Sequence, residues 1–73
     1  MTRQAYIAQY DAEGNETILM RAPFWNPAIS AEFDRLANTA RLGTPLIEAW
    51  YSDEYQVECM GRIDFRPLLP RHD

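Results

Sequence analysis

Cysteine, histidine and paired carboxylates are the side chains that most often do chemistry, and this sequence offers few of them. It holds one cysteine, Cys59, and one histidine, His72. A Cys–His nucleophile needs the two groups within hydrogen-bond reach. His72 stands next to the C-terminus, and Cys59 sits in an alternating segment that predicts a buried, structural thiol. Glu48 and Glu58 are the one candidate acid–base pair, expected on the same face of a hairpin near Arg62. Two solvated carboxylates are the simpler account of them. Asn15-Glu16-Thr17 matches a glycosylation acceptor, but the N-terminal stretch lacks the apolar core of a signal peptide, so the match is read as chance. No catalytic residue, metal ligand set or cofactor motif is assigned, and a small enzyme ranks last among the functions weighed.

Charge and size narrow the classes further. The chain has 73 residues, a net charge of −4 and a pI near 4.8. Phosphate binding needs a basic surface, so nucleic acid is an unlikely partner. No apolar run approaches the ~20 residues of a membrane span. A lone cysteine suits a reducing cytoplasm, which is the expected location. All seven basic residues are arginine. Arginine is favoured at protein interfaces because its planar fork pairs with carboxylates and stacks on aromatic rings. One domain, 1–73, is expected, with a short, loosely held tail at 68–73.

The elements follow from periodicity. Residues 4–11 alternate and are rich in β-formers. Asp11-Ala12-Glu13-Gly14-Asn15 reads as a three-residue hairpin loop with Gly14 in the left-handed position. Closing it on Asp11 and Asn15 sets Ala8 opposite Ile18, Gln9 opposite Thr17, Ile7 opposite Leu19 and Tyr6 opposite Met20. A second strand runs from about 16 to 22 and stops at Pro23. Asn26-Pro27 is a cap and first-turn pair, with Ser30 as a competing cap. Ile29, Phe33, Leu36, Ala37 and Ala40 make an apolar helical stripe, and Gly43 and Pro45 end it.

A second hairpin follows, over 46–51 and 57–66. Val57, Cys59, Gly61, Ile63 and Phe65 alternate strictly with polar residues and Met60. An odd loop would set Tyr51 opposite Val57 and Ala49 opposite Cys59, making one side wholly apolar. The predicted fold class is α+β, ordered hairpin–helix–hairpin (ββαββ). It is a four-stranded, mostly antiparallel sheet with one helix on one face. The crossover permits parallel joining of the hairpins, as in a β-grasp arrangement, and other strand orders as well.

One helix covers one side of a sheet. Ile7, Leu19, Leu46, Trp50 and Met60 are expected on the other, and a contiguous apolar patch there marks association. Between Pro23 and Pro27, Phe24 is expected to plug the core and Trp25 to stay partly exposed. Glu48, Asp53, Glu54 and Glu58 form the densest acidic group. The predicted partner-binding residues are therefore Trp25, Leu46, Glu48, Trp50, Asp53, Glu54, Glu58, Met60 and Arg62. The expected function is binding of a protein partner as an inhibitor or modulator, of the kind phages and mobile elements encode against host machinery. The alternative is a homo-oligomeric accessory subunit that buries its open sheet face against its own copy.

Overall fold

The computed structural model describes residues 3–66; the tail expected at 68–73, with His72, lies outside them. The strands are β1 (Gln4–Tyr10), β2 (Glu16–Ala22), β3 (Leu46–Ser52) and β4 (Val57–Ile63), and the helix is α1 (Pro27–Thr39). They form one sheet of order β2-β1-β3-β4, in which all three pairings are antiparallel. The ββαββ reading holds. The parallel joining allowed by the sequence does not occur, because β3 pairs with β1 in the antiparallel sense. The crossover through α1 links β2 to β3, which run in the same direction with β1 between them.

The first turn forms as its residues dictate. The Asp11 carboxylate accepts from the backbone amides of Glu13 and Asn15 at 2.9 and 2.8 Å. The Asp11 amide donates to the Asn15 carbonyl at 3.1 Å, and Gly14 takes φ +84°. Its closure gives the expected pairs Ala8–Ile18 and Gln9–Thr17. The next pairs are Ile7–Met20 and Tyr6–Arg21, because the strand bulges at Leu19. One extra residue re-phases every side chain beyond it. The expected pairs Ile7–Leu19 and Tyr6–Met20 are therefore replaced.

The bulge corrects the face assignment as well. Ile7 is completely buried in the core with Ala5, Ile29, Ile47, Ala49 and Ile63. Met20 and Ala22 pack on the same side, and Tyr6, Ala8 and Tyr10 point to the other. The chemistry favours this choice. Ala5 and Ile7 need no polar partner, whereas a tyrosine needs one for its hydroxyl, and Tyr10 finds Glu16 at 2.8 Å.

In the second hairpin the loop is Asp53–Gln56, an even number, so Ser52 faces Val57, Tyr51 faces Glu58 and Trp50 faces Cys59. A bulge at Met60 then supplies the half-period shift that an odd loop would have given. Gly61 pairs with Ala49, Ile63 with Ile47, and both turn toward the helix. Val57, 70% exposed, and Cys59 are left outside the core. The expected buried thiol is thus an exposed one. Met60 packs against the core side, not on the open face where the strict alternation had put it.

The helix begins as its cap pair predicts: Asn26 is the N-cap, its side chain accepts from the Ile29 amide at 3.0 Å, and Pro27 is the first residue. It ends at Thr39, ahead of Gly43, which makes its own turn at φ +93° and donates to the Phe65 carbonyl at 2.8 Å. Ile29, Phe33, Leu36 and Ala40 face the sheet, while Ala37 is exposed. Small residues line the trough beneath: Ala22, Ala5, Ala49 and Gly61. They let the helix side chains reach the sheet backbone. No helix among the described residues is long and apolar enough to cross a membrane.

Candidate functional site

Two surfaces remain after the core is accounted for, and they lie on opposite sides of the sheet. The first is a cleft on the helix side, beside the tip of the second hairpin. One row across this side reads Ala22, Ala5, Tyr51, Glu58. The chain leaves the sheet at Ala22, and residues 23–26 carry Phe24 and Trp25 over that row. Together with Tyr51, Gln56, Glu58 and Met60 they line a recess of about 280 Å³. Trp25 rests partly against the core, whereas Phe24 is 46% exposed. This reverses the expected roles of the two. Trp25 adjoins the helix cap and is carried over the sheet with it, so the larger ring is the one that reaches the core. Phe24 has the Arg3 guanidinium above its ring, 6.0 Å from the centroid.

The hairpin loop at the mouth of this cleft is ordered by Asp53. Its carboxylate accepts from the Tyr55 and Gln56 amides at 2.8 and 3.0 Å and from the Tyr51 hydroxyl at 2.9 Å. These bonds, with the Tyr55 amide first, hold its carboxyl below the usual range. Asp53 therefore builds the loop. The freely exposed acids at this end are Glu54 and Glu58.

The second surface is the face of the sheet turned away from the helix, which no other described element covers. It has three rows. The first is Arg21, Tyr6, Trp50, Cys59; the second is Ile18, Ala8, Glu48, Arg62; the third is Glu16, Tyr10, Leu46. Ala8 and Leu46 are buried within it by their neighbours, and Tyr6, Tyr10 and Trp50 are half-buried. Glu48 holds Arg62 at 3.1 Å and receives the Trp50 indole N–H at 3.4 Å. Burial, the hydrogen bond to Glu16 and the charges of Glu16 and Glu48 push the Tyr10 hydroxyl up to about 12. Tyr6 is raised by burial and by the same two carboxylates, against Arg21.

The nine predicted residues thus divide. Trp25, Glu58 and Met60 meet in the cleft, with Asp53 and Glu54 in the loop beside it. Leu46, Glu48, Trp50 and Arg62 lie on the open face. Glu48 and Glu58 are on opposite sides of the sheet, so they form no acid–base pair. Among the described residues no group of three or more Cys, His, Asp or Glu side chains converges to hold a metal ion. Tyr51 and Gln56 were missed because they are set by the loop length. Tyr6 and Tyr10 were missed because their side of β1 was taken as the core side, Glu16 because it pairs with Tyr10, and Arg21 because the Leu19 bulge re-phases it. Comparison with models of protein families, with characterised proteins and with solved structures finds no match.

The raised hydroxyl of Tyr10 gives a direct test of the open face. A tyrosine that ionises near 12 in the folded chain, against 10.0 as the ordinary value, keeps its proton more tightly when folded. Its contribution to stability is whole below pH 10 and is lost as pH rises through 12. Absorbance titration of tyrosinate should show a late step that disappears in Tyr10→Phe. If that variant keeps the late step, Tyr10 is not the shielded group.

Proposed function

We propose that this domain is a non-enzymatic protein-binding module, an inhibitor or modulator of a protein partner that it grips at the cleft of the second hairpin. The observation that carries this reading is the meeting of Trp25, Tyr51 and Met60, from three separate segments, on one recess with Glu58 at its edge. Aromatic residues and methionine are the types enriched at interface centres, and charged residues belong to the rim. The recess takes an apolar side chain of the partner. Glu54 and Glu58 favour a basic residue next to it. The free thiol of Cys59 supports a reducing cytoplasm as the place of action.

The test uses substitutions that the core does not feel. Phe24→Ala and Glu58→Arg both change exposed side chains at the cleft. Each should lose the partner captured by the unaltered chain from extracts of its native host, with the melting curve little changed. Identical capture by both variants would sink the cleft as the contact surface. Glu54→Gln should slow association with that partner at low salt, and the difference should fade as salt rises, because steering by an exposed charge is screened.

A further inference from the structure

The open face of the sheet is complementary to itself, and we infer that it is a contact between two copies of this chain. The inference rests on the sheet's charge pattern and stands apart from the cleft on the other side. The chain carries eleven acidic and seven basic residues. An excess of this size repels a second copy unless the touching surfaces are neutral. The register puts two acids, Glu16 and Glu48, and two bases, Arg21 and Arg62, on the open face. That face is neutral, and the whole surplus of negative charge lies elsewhere.

The arrangement selects one symmetry. Arg21 and Glu16 stand at opposite ends of the same strand, at the outer corners of the first and third rows. A two-fold axis in the plane of contact, across the strands and along the middle row, exchanges the two ends. It brings Arg21 of each copy onto Glu16 of the other, twice. The same operation lays Tyr6 against Tyr10 and Trp50 against Leu46, aromatic and apolar surface on both sides. Along the axis itself Ile18 meets its own counterpart, and Ala8 is buried too deeply to touch. Glu48 and Arg62 each face their own kind, their charges balanced only by the ion pair that each copy closes within itself at 3.1 Å. The alternative axis, parallel to the strands, presses Ile18 on Arg62 and Ala8 on Glu48. It leaves Arg21 against Cys59, and so pairs no charge with its opposite. Isologous two-fold contact is also the commonest way for a protein to meet its own copy.

The size of the face sets the strength. Four strands about 4.8 Å apart and a five-residue span rising about 3.4 Å per residue give a flat footprint of roughly 19 by 17 Å. Two such footprints come to roughly 650 Å² before side-chain relief is added, below the ~1,200–2,000 Å² that stable interfaces bury. The dimer is accordingly weak, and forms reversibly as concentration rises.

Sedimentation equilibrium of the full chain, from about 1 µM to about 1 mM, reads this directly. The unaltered protein should pass from monomer to dimer within that range. Arg21→Glu sets carboxylates against each other at both symmetric contacts and should weaken the dimer at least roughly tenfold. Adding Glu16→Arg to it rebuilds both pairs with the signs exchanged and should restore association. Trp50→Ser should also leave monomer, with circular dichroism confirming the fold of each variant. A chain that stays monomeric at ~1 mM overturns the inference, as does a dimer that Arg21→Glu leaves intact. So does a folded double variant that stays monomeric. Should either arginine variant fail to fold, Arg21→Gln takes its place. An unchanged dimer in that variant likewise overturns the proposed pairing.

Discussion

Ile7→Ala is expected to cost about 2–5 kcal/mol, the range for truncating a buried isoleucine where the surroundings cannot close the gap. Ile7 is completely buried and sits in the centre of β1, one of the two inner strands. It pairs with Met20 on one side and Ala49 on the other, and both neighbours face the helix with it. Ala49 and nearby Ala5 are already small. Of the larger side chains in the cluster, Ile29 is held by the capped first turn, and Ile47 and Ile63 are fixed on their strands. A domain of this size has a total stability of roughly 4–11 kcal/mol, so the loss takes a large part of it. The melting temperature should fall by some 10–30 °C, at about 4–8 °C per kcal/mol. The control is Leu19→Ala on the adjacent strand, where the side chain stands out of the bulge and is 40% exposed. That change should be small. Equal effects at the two positions would place Ile7 on the open face and move the bulge out of β2.

What the sequence made legible, and what it hid, follows from a single difference between helices and strands. The capped start of α1 is local: Asn26 accepts from an amide in its own first turn, and Pro27 presets its own φ. The first turn is local too, since Asp11 and Gly14 act within five residues. Both were read correctly, and the strand pairs nearest the turn came with them. Faces in a sheet depend instead on a parity that any inserted residue inverts. Leu19 and Met60 are ordinary β-formers, and nothing in their type marks them as bulges. Gly61, the residue that signals the second one, was read as part of an unbroken alternation. The cleft was half visible for the same reason. Trp25 and Glu58 were singled out by type, yet Met60 was assigned to the wrong side, and Tyr51, correctly placed on the helix side, was read only as core. Phe24 and Trp25 exchanged roles because prolines fix the path of a connection without saying which ring turns inward. The open face was correctly expected to exist, since one helix covers one side. Its membership changed from Ile7 and Met60 to Tyr6, Tyr10 and Arg21.

Gly61→Ala should destabilise the fold by about 1–3 kcal/mol, the usual penalty for forcing a methyl into a filled site. The local preference runs the other way. Within a strand, alanine is better than glycine by roughly 0.5–1 kcal/mol, because glycine has more backbone freedom to lose. Geometry decides the sign. A Cβ on Gly61 would lie 2.6 and 2.8 Å from two ring carbons of Phe33, well inside contact distance. The Phe33 ring is the far end of a side chain, but it packs against the core. To make room it must tilt away from the floor formed by Ala49 and Gly61, and the helix loses its longest reach toward the second hairpin. Gly61 is thus kept for space, as the seat of a ring, in the strand that also carries Met60 to the cleft. A double-mutant cycle separates the two terms. Phe33→Leu alone leaves a void and should destabilise. Combined with Gly61→Ala, the added methyl fills part of that void, so the pair should cost clearly less than the sum of the two single changes. Chemical denaturation of the four proteins measures this. Strict additivity, or a Gly61→Ala that is more stable than the parent, would mean that Phe33 does not rest on Gly61 and that the helix lies over the other half of the sheet alone.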